Sequence, residues 1–105
     1  LARQILVYPM LDDRNQSPDP TREHFLTWTY DVNYTAWKAV VGDTFDTADV
    51  PPIAAPARLS AFTGLAPAYI DTGDLDIFRD EDIASAARLA AAGVPVELHV
   101  HPGVP

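Results

Sequence analysis

Residues 68–100, AYIDTGDLDIFRDEDIASAARLAAAGVPVELHV, decide the fold. The run Pro67–Gly73 is short, apolar and closed by glycine, as expected of a strand covered on both faces. The segment DEDIASAARLAAAG predicts a helix over Asp80–Ala92, with Asp80 as N-cap and acids in its first turn. Ile83, Ala86, Ala87, Leu89 and Ala90 are its expected buried stripe, and Gly93 its C-terminal stop. From Val94 the sequence VPVELHVHPG predicts another strand, Val96–Val100, running on to about His101. Strand, helix and strand in that order form a βαβ unit, whose strands are parallel and whose crossover is right-handed. The fold class is therefore α/β. Open sheets of this kind do their chemistry beyond the carboxyl ends of the strands. Asp74, Asp76 and His101 fall there, and so do Pro9, Met10 and Leu11.

Upstream, QILVYP (Gln4–Pro9) predicts a further buried parallel strand, closed by a proline. Asp12–Glu23 is a polar loop rich in turn formers. TYDVNYTAWKAVVG predicts a helix from about Thr29 to Val41, burying Val32, Ala36, Trp37, Val40 and Val41 and stopping at Gly42. The proline-studded stretch that follows is irregular, with one helical turn expected at Leu59–Thr63. The whole is three parallel strands with crossover helices. LARQILVYPM reads as the inside of a strand and HPGVP as the middle of a loop, so a piece of a larger protein is expected.

Composition narrows the function. The 105 residues suffice for one small domain, and 48% of them are apolar, enough for a core. A net charge of −8, with Lys38 the sole lysine and no two basic residues adjacent, argues against nucleic-acid or anionic-membrane partners. No apolar run is long enough to span a bilayer and no leader pattern opens the chain, so no membrane span and a cytoplasmic location are expected. With no cysteine there is no disulfide, thiolate nucleophile or cysteine zinc site.

The acids need sorting: Asp71, Asp74, Asp76, Asp80, Glu81 and Asp82 crowd into twelve residues. Asp80, Glu81 and Asp82 suit a helix start, where each gains about 0.3–1 kcal/mol from the helix dipole. A calcium loop fits poorly, because Arg79 stands where its sharp turn needs glycine. Asp74 and Asp76 have the Asp-x-Asp spacing of a magnesium-dependent phosphatase, an alternative that still needs a further metal ligand and a lysine. Asp76 remains. It follows a buried strand, precedes a helix and lies at the catalytic face, where a carboxylate can orient a histidine acting as general base.

The segment from Ala68 to Pro105 resembles the C-terminal part of α/β-hydrolase-fold esterases of the hormone-sensitive lipase family. DIFRDE resembles the family's D-x-L-R-D-E motif, with Phe78 in place of leucine; AGVPVE and the strand after it lead towards the family's catalytic histidine. LVYPMLD and IAAPARLSAFTGLAPAYI resemble its preceding strand and connection. The resemblance implies that Asp76 is the triad acid and that Asp80 and Glu81 are structural. It makes residues 1–105 the C-terminal portion of an α/β-hydrolase domain, with the nucleophile serine upstream of Leu1 and the histidine just after Pro105. No G-x-S-x-G occurs here, and Ser17, Ser60 and Ser85 lack the context of a nucleophile elbow.

The implied activity is carboxylic ester hydrolysis by a serine esterase, with the piece inactive alone, a small ester as substrate, and neither metal nor organic cofactor. A non-catalytic ligand-binding member of the same fold is the other alternative. His101 is a weak candidate base, His99 is expected to point into the sheet packing, and His24 lies beside FLTWTY, whose aromatics suit either a core or a substrate pocket. An uncovered first strand further implies association, as a homo-oligomer or within a longer chain.

Overall fold

The computed structural model describes residues 2–62 and 64–105. Five principal elements follow one another: β1 (Gln4–Val7), α1 (Tyr30–Val41), β2 (Ala68–Gly73), α2 (Arg79–Ala91) and β3 (Val96–His101). The three strands make one sheet in the order β1-β2-β3, and both pairings are parallel. Ile5 lies opposite Tyr69, Asp71 opposite His99 and Gly73 opposite His101.

Strand side chains alternate between faces. One face presents Leu6, Ala68, Ile70, Val96 and Leu98 to Ala86 and Leu89 of α2, with Val94 and Phe62 completing the core. Burying side chains such as Ile70 and Leu89 stabilises the unit by about 1.5–3 kcal/mol each. The opposite face is bare in this chain: Ile5 is 67% and Val7 50% exposed, so β1 is not covered on both sides as its apolar run suggests.

α1 does not lie on the sheet core. Trp37 packs against Val50 and Ala55 in a second cluster, with Met10, Val41 and Phe45 around it. The Thr29 hydroxyl caps α1 by accepting from the Val32 amide at 3.2 Å. Val32 and Val40 of the expected stripe face water, and Asn33 is buried instead. Its amide side chain donates to the Asn15 carbonyl at 2.9 Å, which turns the helix to suit a polar anchor.

α2 departs from expectation in two respects. It begins at Arg79, with Phe78 at the N-cap and no side-chain cap, so Asp80 is not the capping residue. Its buried side chains are Glu81, Asp82, Ser85, Ala86 and Leu89, whereas Ile83, Ala87 and Ala90 are exposed. The rotation has a cause: Glu81 is pulled inward by backbone amides of the loop after β1. Gly93 does stop the helix, at φ 79°. The short turn expected at Leu59–Thr63 forms earlier, as a 3₁₀ turn at Pro56–Arg58 started by its proline; Thr63 lies outside the described residues. His99 is on the bare face, its side chain 46% exposed, and not in the packing.

Candidate active site

Beyond the carboxyl end of β2 the chain turns through residues 74–78 and enters α2. Gly73 is required there: a Cβ on it would lie 2.1 Å from the Val104 carbonyl oxygen. The C-terminal segment docks on this end of the sheet. Leu75 donates its amide to Val104 at 2.9 Å, Asp74 donates to the His101 carbonyl at 3.1 Å, and Gly103 donates to Asp74 Oδ1 at 2.7 Å. Asp74 is thus engaged in holding the terminal segment, and its carboxylate and that of Asp76 serve different backbone amides.

Asp76 is 8% exposed, and its Oδ1 accepts from the Phe78 amide at 3.0 Å. The Asp76 amide donates to Gly73, and its carbonyl accepts from Arg79 N and from Arg22 Nη1 at 2.9 Å. Burial holds the Asp76 carboxyl above its ordinary range, while the Phe78 amide and the Arg22 guanidinium pull it down. It borders a cleft of about 400 Å³ walled by Tyr8, Thr27, Trp28, Phe78 and Pro105. Trp28 and Phe78 meet at 6.2 Å between ring centroids. Tyr8 holds an unusual backbone, φ 36°, and its amide is anchored to the Asp71 carbonyl at 2.7 Å. Of the aromatics in FLTWTY, Trp28 is the one that lines this cleft; Phe25 is exposed away from it.

Two residues shape the site from behind. Arg22, buried in the polar loop, joins Asp76 O, Asp19 Oδ2 at 2.9 Å and Asp80 Oδ2 at 3.3 Å. Nothing in the loop's composition distinguishes it from a solvated arginine, so sequence reading missed it. Glu81 Oε2 accepts from the Leu11 and Asp12 amides at 2.7 and 2.6 Å, and Oε1 from Asn15 Nδ2 at 2.9 Å. Burial nevertheless raises its carboxyl to about 7, against those donors. Glu81 thereby fixes the loop after β1 to the start of α2, the structural part expected of it.

His101 is not with Asp76. Its Nε2 stands 3.5 Å from Asp71 Oδ2 on the bare face of the sheet, stacked on His99 at 6.3 Å. His24 is exposed in a 3₁₀ turn, and Ser17, Ser60 and Ser85 do not border the Asp76 cleft. Among the described residues no helix is long and apolar enough to cross a membrane.

A parallel sheet with a half-fixed carboxylate beyond its middle strand, and a helix entered immediately afterwards, defines an α/β architecture with its site at the carboxyl edge. The comparisons make this specific. A family model described as alpha/beta hydrolase fold matches residues 1–105, and the chain belongs to that family. Esterase LipI of Mycobacterium tuberculosis (strain ATCC 25618 / H37Rv) is 47% identical over 49 residues, 47% of this chain and 15% of that protein. A structure titled bacterial heroin esterase is 40% identical, with a TM-score of 0.89 over 99% of this chain and 34% of that one. A hormone-sensitive lipase from a metagenome library shares the fold at 22% identity, TM-score 0.82, over 99% of this chain and 35% of that one. The chain therefore spans about a third of the solved structures it matches.

Proposed function

We propose that this chain is the C-terminal portion of an α/β-hydrolase domain and supplies the triad acid, Asp76, of a serine carboxylic ester hydrolase. The observation that carries the reading is the position of Asp76: one oxygen is held by the Phe78 amide, and the residue borders a cleft also lined by Pro105. The similarity to proteins named as esterases supports the ester class of substrate. Serine attacks the ester carbonyl, histidine moves the proton, and Asp76 sets the histidine's tautomer and stabilises its cation. The aromatic wall of Tyr8, Trp28 and Phe78 offers an apolar surface to one side of a small ester.

The magnesium phosphatase alternative is less favoured, since among the described residues no third His, Asp or Glu gathers with Asp74 and Asp76 in a metal-holding group. In the enzyme that joins this chain to a nucleophile and base, Asp76→Asn is expected to keep the fold and cut kcat by about 10⁴. A near-unchanged rate on an activated phenyl ester would remove Asp76 from the triad. The 105-residue chain alone is expected to show no hydrolysis above a denatured control, having no activated nucleophile.

A further inference from the structure

Asp76 is fixed at its amide, its carboxylate and its carbonyl. The amide donates to the Gly73 carbonyl and Oδ1 accepts from the Phe78 amide, while the carbonyl accepts from the Arg79 amide at 3.2 Å and from Arg22 Nη1 at 2.9 Å. Gly73, Phe78 and Arg79 belong to the turn that carries Asp76, so their bonds hold only the turn's own shape. Among the described residues, Arg22 is the one side chain from outside that turn bonded to Asp76. It comes from the polar loop, 54 residues earlier in the chain. Every nitrogen of its guanidinium is engaged, for Nε donates to Asp19 Oδ2 at 2.9 Å and Nη2 to Asp80 Oδ2 at 3.3 Å. Both acids are themselves braced. Asp19 Oδ1 accepts from the Thr21 amide at 3.0 Å and from the Thr21 hydroxyl at 2.6 Å, and Asp80 Oδ1 accepts from Arg79 Nε at 2.8 Å.

A buried arginine needs partners for its charge, and Asp19 and Asp80 supply them. A guanidinium is a planar fork of fixed donors, so anchoring Nε and Nη2 fixes where Nη1 points. It points at the carbonyl of Asp76. Holding that carbonyl holds the backbone rotation at Asp76, from which the carboxylate projects. We propose that Arg22 is a positioning residue of the ester hydrolase: its fork locks the turn bearing Asp76 to the polar loop and so sets the aim of the triad acid at its histidine. Burial raises the Asp76 carboxyl, and the same guanidinium draws it back towards the ionised form that the role requires. Arg22 acts through Asp76 and not on the ester. This rests on the esterase reading of Asp76, and adds to it a cause for the acid's aim that lies outside the turn.

The test is steady-state kinetics on an activated ester, with the hydrolase that contains this chain and kcat taken per folded molecule. Arg22→Lys keeps the charge but offers one ammonium in place of the planar fork. It should lower kcat by about tenfold or more, as misplacing a catalytic group does, and leave KM within about twofold. Arg22→Ala should lower kcat further with the same split. Should Arg22→Ala fail to fold, Arg22→Lys still decides. Arg58→Lys loosens a second arginine fork, the one on Asp13 away from the Asp76 cleft, and should leave kcat unchanged. Full kcat in Arg22→Lys, a loss seen only in KM, or an equal loss of kcat in Arg58→Lys overturns the proposal. Asp76→Asn in the same series tells the two readings apart. If it cuts kcat and Arg22→Lys does not, the esterase reading stands and the role of Arg22 falls. If Asp76→Asn leaves kcat unchanged, both fall.

Discussion

Asp13 and Asp82 are both shut away from water, and the chain treats them in opposite ways. Asp13, in the loop after β1, is 3% exposed and is gripped by both arms of Arg58, Nε to Oδ1 at 2.7 Å and Nη2 to Oδ2 at 2.8 Å. Arg58 in turn reaches the Thr47 carbonyl, so one buried ion pair fastens the irregular segment between α1 and β2. Asp82 has no such partner and has acids for neighbours. One carboxyl faces a cation, the other faces like charges. Burial alone therefore does not fix what an acid does; the nearest cation does.

The largest expected effect breaks the Asp13 side of the contrast. Arg58→Ala leaves a buried carboxylate unpaired, and denaturant unfolding should show a loss of about 3–5 kcal/mol. A loss within about 0.5 kcal/mol would mean that water enters and the pair is not truly enclosed. Next comes Glu81, which lies between the two cases: deeply placed like Asp82, yet supplied with donors. Glu81→Ala orphans the Leu11 and Asp12 amides and should cost about 1–3 kcal/mol, read from the same unfolding curves. The smallest effect is a slope. Folded Glu81 and Asp82 hold protons that the unfolded chain has already released, so each makes stability fall as pH rises. Glu81 acts from its ordinary 4.5 up to about 7, and Asp82 from 3.8 up to about 9. Stability measured between about pH 7 and pH 9 should decline in the wild type and stay flatter in Asp82→Asn. An equal decline in both would place the proton elsewhere.

Much of the β2–α2–β3 unit was legible because its apolar runs, its helical composition and Gly93 all favour the same elements. Asp76 was legible as a candidate because a strand end and a helix start bracket it. The facing of α2 was not. Periodicity placed Ile83 inside and left Glu81 and Asp82 as acids of a helix start, whereas a carboxylate that finds two amides from the loop after β1 sets the helix's rotation. Such a contact joins positions 70 residues apart, and no local pattern encodes it. Arg22 was hidden for the same reason, its partner at Asp76 lying 54 residues away. The cleft itself gathers Tyr8, Trp28, Phe78 and Pro105 from four separate segments, which only the parallel register of the sheet brings together.

The backbone of Tyr8 carries a consequence for how this region can change. At φ 36° a side chain with a Cβ is crowded, a cost of order 1–3 kcal/mol that glycine would escape. Substituting glycine would ease the end of β1 and strip one wall from the cleft beside Asp76. Thermal robustness and the shape of the cleft therefore pull in opposite directions at this position. Selection for a hardier protein would drift towards small residues there, and selection for grip on a ligand would hold the aromatic in place.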